Sequence, residues 1–216
     1  MQFSDNTISV LKNFSQINPS IMFRSGSVLR TISPQKTVMA AAEIDESFEK
    51  SVGVYNLGRF LATLSLFDEP EIALEETQFV IGDAKSTVKY TYTSENMIVS
   101  PPDKDINVPD IVADINITWE EIKKVRDAAA VLGLPEISFS SSGRGVLLSA
   151  VDSKNSTADT FSIISAPDET FEPFDMIIKT DYLKLLEQDY QVALSTKGMA
   201  HFRSNGVNYW IAIESR

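Results

Sequence analysis

The residues best equipped for chemistry are few and scattered. His201 is the only histidine, and it sits between Ala200 and Phe202 in a segment that alternates like a strand. A lone strand histidine is usually structural, and general acid–base work needs a partner within hydrogen-bond reach. Cysteine is absent, which removes thiolate nucleophiles, thiolate metal ligands and any disulfide framework. The acidic pairs Glu75-Glu76 and Glu120-Glu121 have the spacing of solvated faces, and nothing focuses them on one pocket. No Gly-x-Ser-x-Gly elbow, phosphate-binding loop or His-Glu-x-x-His is present. Asp103-x-Asp105-x-Asn107 offers the first three oxygen ligands of a calcium loop. Its sixth position is Val108 where glycine is needed, and its twelfth is Asp114 where a bidentate glutamate is needed. The chain is therefore expected to be neither an enzyme nor a metal protein, and to carry no cofactor.

Basic residues give a more useful pattern, because they fall on segments with helical spacing. Residues 5–16 bring Ile8, Leu11 and Phe14 to one side and leave Lys12 on the other. Residues 57–64 place Leu57, Phe60, Leu61 and Leu64 at i, i+3, i+4 and i+7, with Asn56 as N-cap and Arg59 outside. Thr118 and Glu121 form a capping box. The helix that follows, to residue 132, buries Ile122, Val125, Ala129 and Leu132 and exposes Lys123, Lys124 and Arg126. A fourth helix is expected over 180–188, with Thr180 as N-cap, Tyr182, Leu185 and Leu186 inward and Lys184 outward. Acids are interleaved on each helix, so the helices are only mildly basic. The whole chain carries a formal charge of −11, which argues against tight phosphate binding over its general surface.

The remaining segments read as short strands rich in Val, Ile, Thr, Tyr and Phe, at 27–32, 37–44, 79–81, 86–93, 136–139, 146–151, 160–164, 191–194 and 207–213. The order helix, strands, helix, strands occurs twice. The first helices lie about 113 residues apart and the second about 123 apart, so two copies of one domain fold are expected. The 216 residues, 43% of them hydrophobic, suffice for two packed cores. The expected domains are 1–95 and 116–216, an α+β fold repeated. A connector at 96–115 holds Pro101, Pro102 and Pro109, which disfavour helix. The first ten residues lack a basic stretch followed by an apolar core, so no secretory signal is expected. No apolar run approaches the ~18 residues of a membrane span.

Several long words resemble the DNA polymerase sliding clamps of T-even-type bacteriophages. They are Val10-Leu-Lys-Asn-Phe-Ser-Gln-Ile-Asn-Pro-Ser-Ile-Met-Phe-Arg-Ser-Gly26, Val54-Tyr-Asn-Leu-Gly-Arg-Phe-Leu-Ala-Thr-Leu-Ser-Leu-Phe67 and Ile81-Gly-Asp-Ala-Lys-Ser-Thr-Val88. The likeness is densest over 1–95 and runs more weakly to Asn208-Tyr-Trp-Ile-Ala-Ile-Glu214. The resemblance implies a longer acidic tail after the last strand, where the sequence reads only to Arg216, and details of the connector and second domain also differ from the family.

The resemblance implies a homotrimeric ring of clamp domains with helices inside and antiparallel sheets outside. Such a ring encircles double-stranded DNA without reading its sequence. It also implies a clamp loader, tethering of the replicative polymerase by a C-terminal peptide, and a late-transcription role with a phage late sigma factor and coactivator. The setting would be the cytoplasm of an infected bacterium, with no membrane association. Lys12, Arg59, Lys123, Lys124, Arg126 and Lys184 would then face DNA. Thr87, Val88 and Tyr90 in one subunit and Thr160, Phe161 and Ile163 in the next would supply the joining strands. Met97, Ile98, Val99, Ile106, Val108 and Ile111 are the candidates for the partner groove. The alternative from another class is a β-rich virion or scaffold protein with a duplicated domain.

Overall fold

The computed structural model describes residues 1–104 and 106–214 and divides the chain into two compact units, Met1–Asp103 and Lys104–Arg216. The first unit opens with α1 (Asp5–Ile17), whose N-cap Ser4 accepts the Thr7 N–H. Strands β1 (Ile21–Phe23), β2 (Gly26–Ile32), β3 (Val38–Phe48) and β4 (Val52–Val54) follow. Helix α2 (Leu57–Leu64) then leads to β5 (Glu71–Leu74), β6 (Gln78–Gly82) and β7 (Thr87–Thr91). In the second unit β8 (Ile111–Ile117) precedes α3 (Trp119–Leu132). Strands β9 (Glu136–Ser141), β10 (Arg144–Val151), β11 (Phe161–Thr170) and β12 (Phe174–Lys179) come next. The unit closes with β13 (Tyr190–Ser195), β14 (Met199–Ser204) and β15 (Val207–Ala212).

The duplication is visible in strand order. The run β4-β1-β2-β3 of the first unit is matched by β12-β9-β10-β11 in the second, and β5-β6-β7 by β13-β14-β15. The extra strand β8 lies along β13, with Tyr190 opposite Ile117. At the matching place in the first unit, the Ile72 N–H donates to the Met1 carbonyl at 2.7 Å.

Each unit packs helices over its sheets. Helix α1 lies on β2 and β3 and against α2, while α3 covers β9, β10 and β11. The first core is aromatic: Phe23 and Phe48 stand 4.8 Å apart, Phe60 and Phe79 5.1 Å apart, and Tyr90 meets Phe60 edge-on at 5.3 Å. The second is thinner in rings, with Tyr190 meeting Phe202 and Tyr209 edge-on, each at 6.0 Å. Burying one such side chain stabilises by roughly 1.5–3 kcal/mol.

Three sequence expectations need correction. The segment 180–188 is not an α-helix: only Thr180–Tyr182 coils, as one 3-10 turn with no side-chain cap. Its backbone is captured laterally instead. The Leu186 N–H donates to the Tyr209 hydroxyl at 3.1 Å, and the Tyr190 hydroxyl donates to the Leu186 carbonyl at 2.7 Å. A short helix gains little on its own, so two phenols suffice to hold the other path. Leu132 is 41% exposed, because α3 ends there at Gly133 in the left-handed region (φ 66°). Ile8 is half-exposed, since the buried face of α1 runs through Thr7, Val10, Leu11, Phe14 and Ile17. The connector expected over 96–115, where prolines disfavour helix, opens on a 3-10 turn at Glu95–Met97 and runs into β8 from Ile111.

Candidate nucleic-acid and partner interface

Lys12 and Arg59 extend from α1 and α2, both exposed, on helices that pack against each other. Arg59 is held at the first turn of α2, where the Asn56 side chain accepts its backbone N–H at 2.8 Å. On α3 the capping box forms as expected. Lys123 and Lys124 are exposed, and Lys123 meets Asp127 one turn on at 2.5 Å. That hydrogen bond and charge raise the Lys123 pKa, with Glu187 adding to them. Arg126 is half-buried and lies 5.9 Å from the centre of the Trp119 ring, a cation–π geometry. Lys184 is half-buried on the non-helical segment. The cations therefore lie on α1 and α2 in one unit and on α3 and the 183–189 segment in the other. Of these groups, Lys123 has an acid partner in Asp127, and Arg126 has Asp127 next to it in sequence.

The proposed joining strands are both terminal in their sheets: β7 ends the run β5-β6-β7, and β11 ends β12-β9-β10-β11. On β7, Thr87 is exposed and Val88 and Tyr90 are half-buried. The Tyr90 ring belongs to its own core, and its hydroxyl donates to the Asn56 carbonyl at 2.9 Å. Thr160 stands just before β11 and is exposed, Phe161 and Ile163 are half-buried, and Ile164 is 65% exposed.

The groove candidates split. Met97, Val99 and Ile111 are exposed, Ile106 is half-buried, and Ile98 and Val108 are buried. Residues 93–103 form a strap on the first unit. The Thr93 N–H donates to the Gly53 carbonyl at 2.9 Å, Asn18 Nδ2 donates to the Val99 carbonyl at 3.0 Å, and Arg24 reaches Glu95 at 3.0 Å. Sequence reasoning missed Arg24, Arg30 and Asn18 as the anchors of this strap. The word Asn18-Pro-Ser-Ile-Met-Phe-Arg24 lies in the densest stretch of resemblance and was the available signal.

His201 sits in β14, stacked on Trp210 at 4.7 Å, with Nε2 3.0 Å from Asn208 Oδ1. Burial lowers its pKa. Asp105, one of the calcium-like positions, and Arg216 lie outside the described residues, and Asp103 faces Arg30 at 3.3 Å. Among the described residues, no three His, Cys, Asp or Glu side chains gather as a metal site. Among the described residues, no helix is long and apolar enough to cross a membrane.

Comparison with known proteins decides the family. The profile of the DNA polymerase processivity factor matches residues 4–100, and that of the gp45 sliding clamp C-terminal domain matches residues 114–215. The sliding clamp of Vibrio phage KVP40 is 31% identical over the full length of both chains. The chain belongs to the sliding-clamp family. The clamps of Escherichia phage RB69 and Enterobacteria phage T4 are 27% and 28% identical, over all of this chain and 97% of theirs. The fold is shared with cellular clamps: A. fulgidus PCNA, solved with the C-terminal region of FEN-1, superposes with a TM-score of 0.75 at 18% identity, covering 100% of this chain and 99% of that one. PCNA of Thermococcus kodakaraensis gives 0.73 at 14% identity, with 99% of each chain covered. This sliding clamp is thus a processivity factor for DNA polymerase, in a family that performs no catalysis. The scaffold-protein alternative is set aside by the same matches.

Proposed function

We propose that three copies of this chain close head to tail into a ring around duplex DNA and hold the replicative polymerase there by its C-terminal peptide. The observation that carries the reading is that β7 and β11 end the runs β5-β6-β7 and β12-β9-β10-β11 of the two matched units, so each unit offers an edge to a neighbouring copy. Such edges are aggregation hazards unless paired, and a heterologous contact with closing rotation pairs all of them. Thr87, Val88 and Tyr90 would join Thr160, Phe161 and Ile163 of the next subunit.

A ring holds DNA by topology, so it needs only weak attraction. Lys12, Arg59, Lys123, Lys124, Arg126 and Lys184 supply it, and the interleaved acids keep it from becoming a brake. The −11 body discourages binding elsewhere. The exposed Met97, Val99 and Ile111 would take the apolar side chains of the polymerase peptide. An ATP-driven loader, a late sigma factor with its coactivator, and the cytoplasm of an infected bacterium complete the reading. The double substitution Lys12→Glu with Lys123→Glu tests it. Folding stays intact, and clamp-dependent primer extension falls by about tenfold or more, with a shallower salt dependence. Unchanged synthesis overturns the assignment of these residues to DNA.

A further inference from the structure

The first unit has a cleft of about 160 Å³ that none of these contacts uses. It lies between the β1–β2 hairpin and the strap, and Arg24, Ser27, Val28, Arg30, Ser100 and Pro101 line it with Asp103. Arg24 Nη2 donates to Glu95 Oε1 at 3.0 Å and to Ser100 Oγ at 3.4 Å. Arg30 Nε stands 3.3 Å from Asp103 Oδ1. The arginine side chains are largely covered, at 30% and 16% exposure, while the facing carboxylates are open, at 60% and 69%. Arg30 lies in β2 and Arg24 in the turn between β1 and β2, while their acids belong to the strap. Apolar surface flanks them: Val28 beside the cleft, and Met97 and Val99 on the strap, all exposed.

We propose that this cleft recognises a carboxylate of a partner peptide, an aspartate or glutamate set between apolar residues. The incoming carboxylate takes the place of Asp103 on Arg30, and its apolar neighbours settle on Val28, Met97 and Val99. The strap's own acids show which chemistry the guanidinium groups accept. Exchange is easy because open ion pairs are screened and weakly held, whereas a ligand carboxylate can meet a planar fork two-pronged. Ser27 and Ser100 add hydroxyl donors. The inference rests on the reading that the strap region takes a partner peptide, and it specifies an acidic residue in that peptide.

The test uses the intact chain, labelled with ¹⁵N, and two blocked tetrapeptides, acetyl-Leu-Asp-Leu-Phe-amide and its asparagine counterpart. The Nε–H resonances of Arg24 and Arg30 report binding. Saturable shifts are expected for the acidic peptide, with the asparagine peptide at least about fivefold weaker. Arg30→Gln should weaken the acidic peptide by about the same factor. Asp103→Asn, at a side chain open enough to leave folding unaffected, should tighten it about twofold to fivefold by removing the internal competitor. Equal binding of the two peptides, or Asp103→Asn without effect, overturns the proposal. Inorganic phosphate that saturates the site at constant ionic strength where the acidic peptide does not would make it a phosphate site, and overturns it too. Polymerase peptide that binds the clamp regardless of Arg24 and Arg30 defeats this inference and leaves the tethering reading standing. Failure of polymerase peptide to bind at all, with the acidic tetrapeptide still bound, defeats the tethering reading alone.

Discussion

His201 combines an apolar stack on Trp210 with one hydrogen bond to Asn208. Burial outweighs that bond, and Arg203 lowers the pKa further while Asp114 opposes it. The folded-state pKa therefore lies below the ordinary 6.5. The unfolded chain takes up the proton first as pH falls, so stability is full above about pH 6.5 and declines below it towards the folded value. Thermal melts at pH 7.5 and 5.5 should show a drop in the native protein that is smaller in His201→Gln. An equal drop in both would remove His201 as its source. Thr118 makes a second local test. Its side chain accepts the Glu121 N–H at 3.2 Å, and Glu121 returns the bond to the Thr118 N–H at 2.8 Å. Thr118→Ala should cost about 1 kcal/mol in denaturant melts.

At the scale of elements, the strap depends on a close backbone approach at Gly53. A Cβ there would run into the Thr93 carbonyl oxygen and stand 2.8 Å from Ile98 Cδ1. Gly53→Ala should therefore lift residues 93–103 off β4 while the aromatic core survives, at a cost of about 1–3 kcal/mol. The readout is trypsin cleavage after Lys104, which should become several times faster than in the native protein. Unaltered cleavage would mean that the arginine anchors alone hold the strap. The segment 180–188 carries the complementary lesson. Its apolar spacing is helical, but a few local hydrogen bonds are weak beside a pair of buried tyrosines placed by β13 and β15. Burial pushes both phenols above their usual pKa range, so they remain neutral donors and acceptors at any ordinary pH.

At the scale of the molecule, the proposed ring predicts a mass. Light scattering over a concentration series should find about 72 kDa, three times the 23.9 kDa subunit, dissociating on dilution. Ile163→Lys, which plants a charge on the terminal strand β11, should shift the whole series to monomer without changing the melting of the isolated units by more than a few degrees. A native monomer at every concentration would leave the family fold intact and remove encirclement as its mechanism.

The sequence by itself determined the elements whose signals are local. Apolar spacing marked α1, α2 and α3, the Thr118–Glu121 box marked where α3 starts, and alternation with turn residues marked strands such as β2, β10 and β15. The order of those pieces was enough to reveal the duplication, and the long words over 10–26 and 54–67 were enough to point to the family. Tertiary structure decided what depends on partners distant in the chain. The short strands β1 and β4 carry too few residues for a pattern and exist because neighbours supply their hydrogen bonds. Residues 183–189 leave the helix because Tyr190 and Tyr209 capture Leu186. Arg24 and Arg30 become one site only because a strap some seventy residues downstream folds back over their hairpin. Spacing along a chain encodes the face a residue presents, but not which remote group will meet it there.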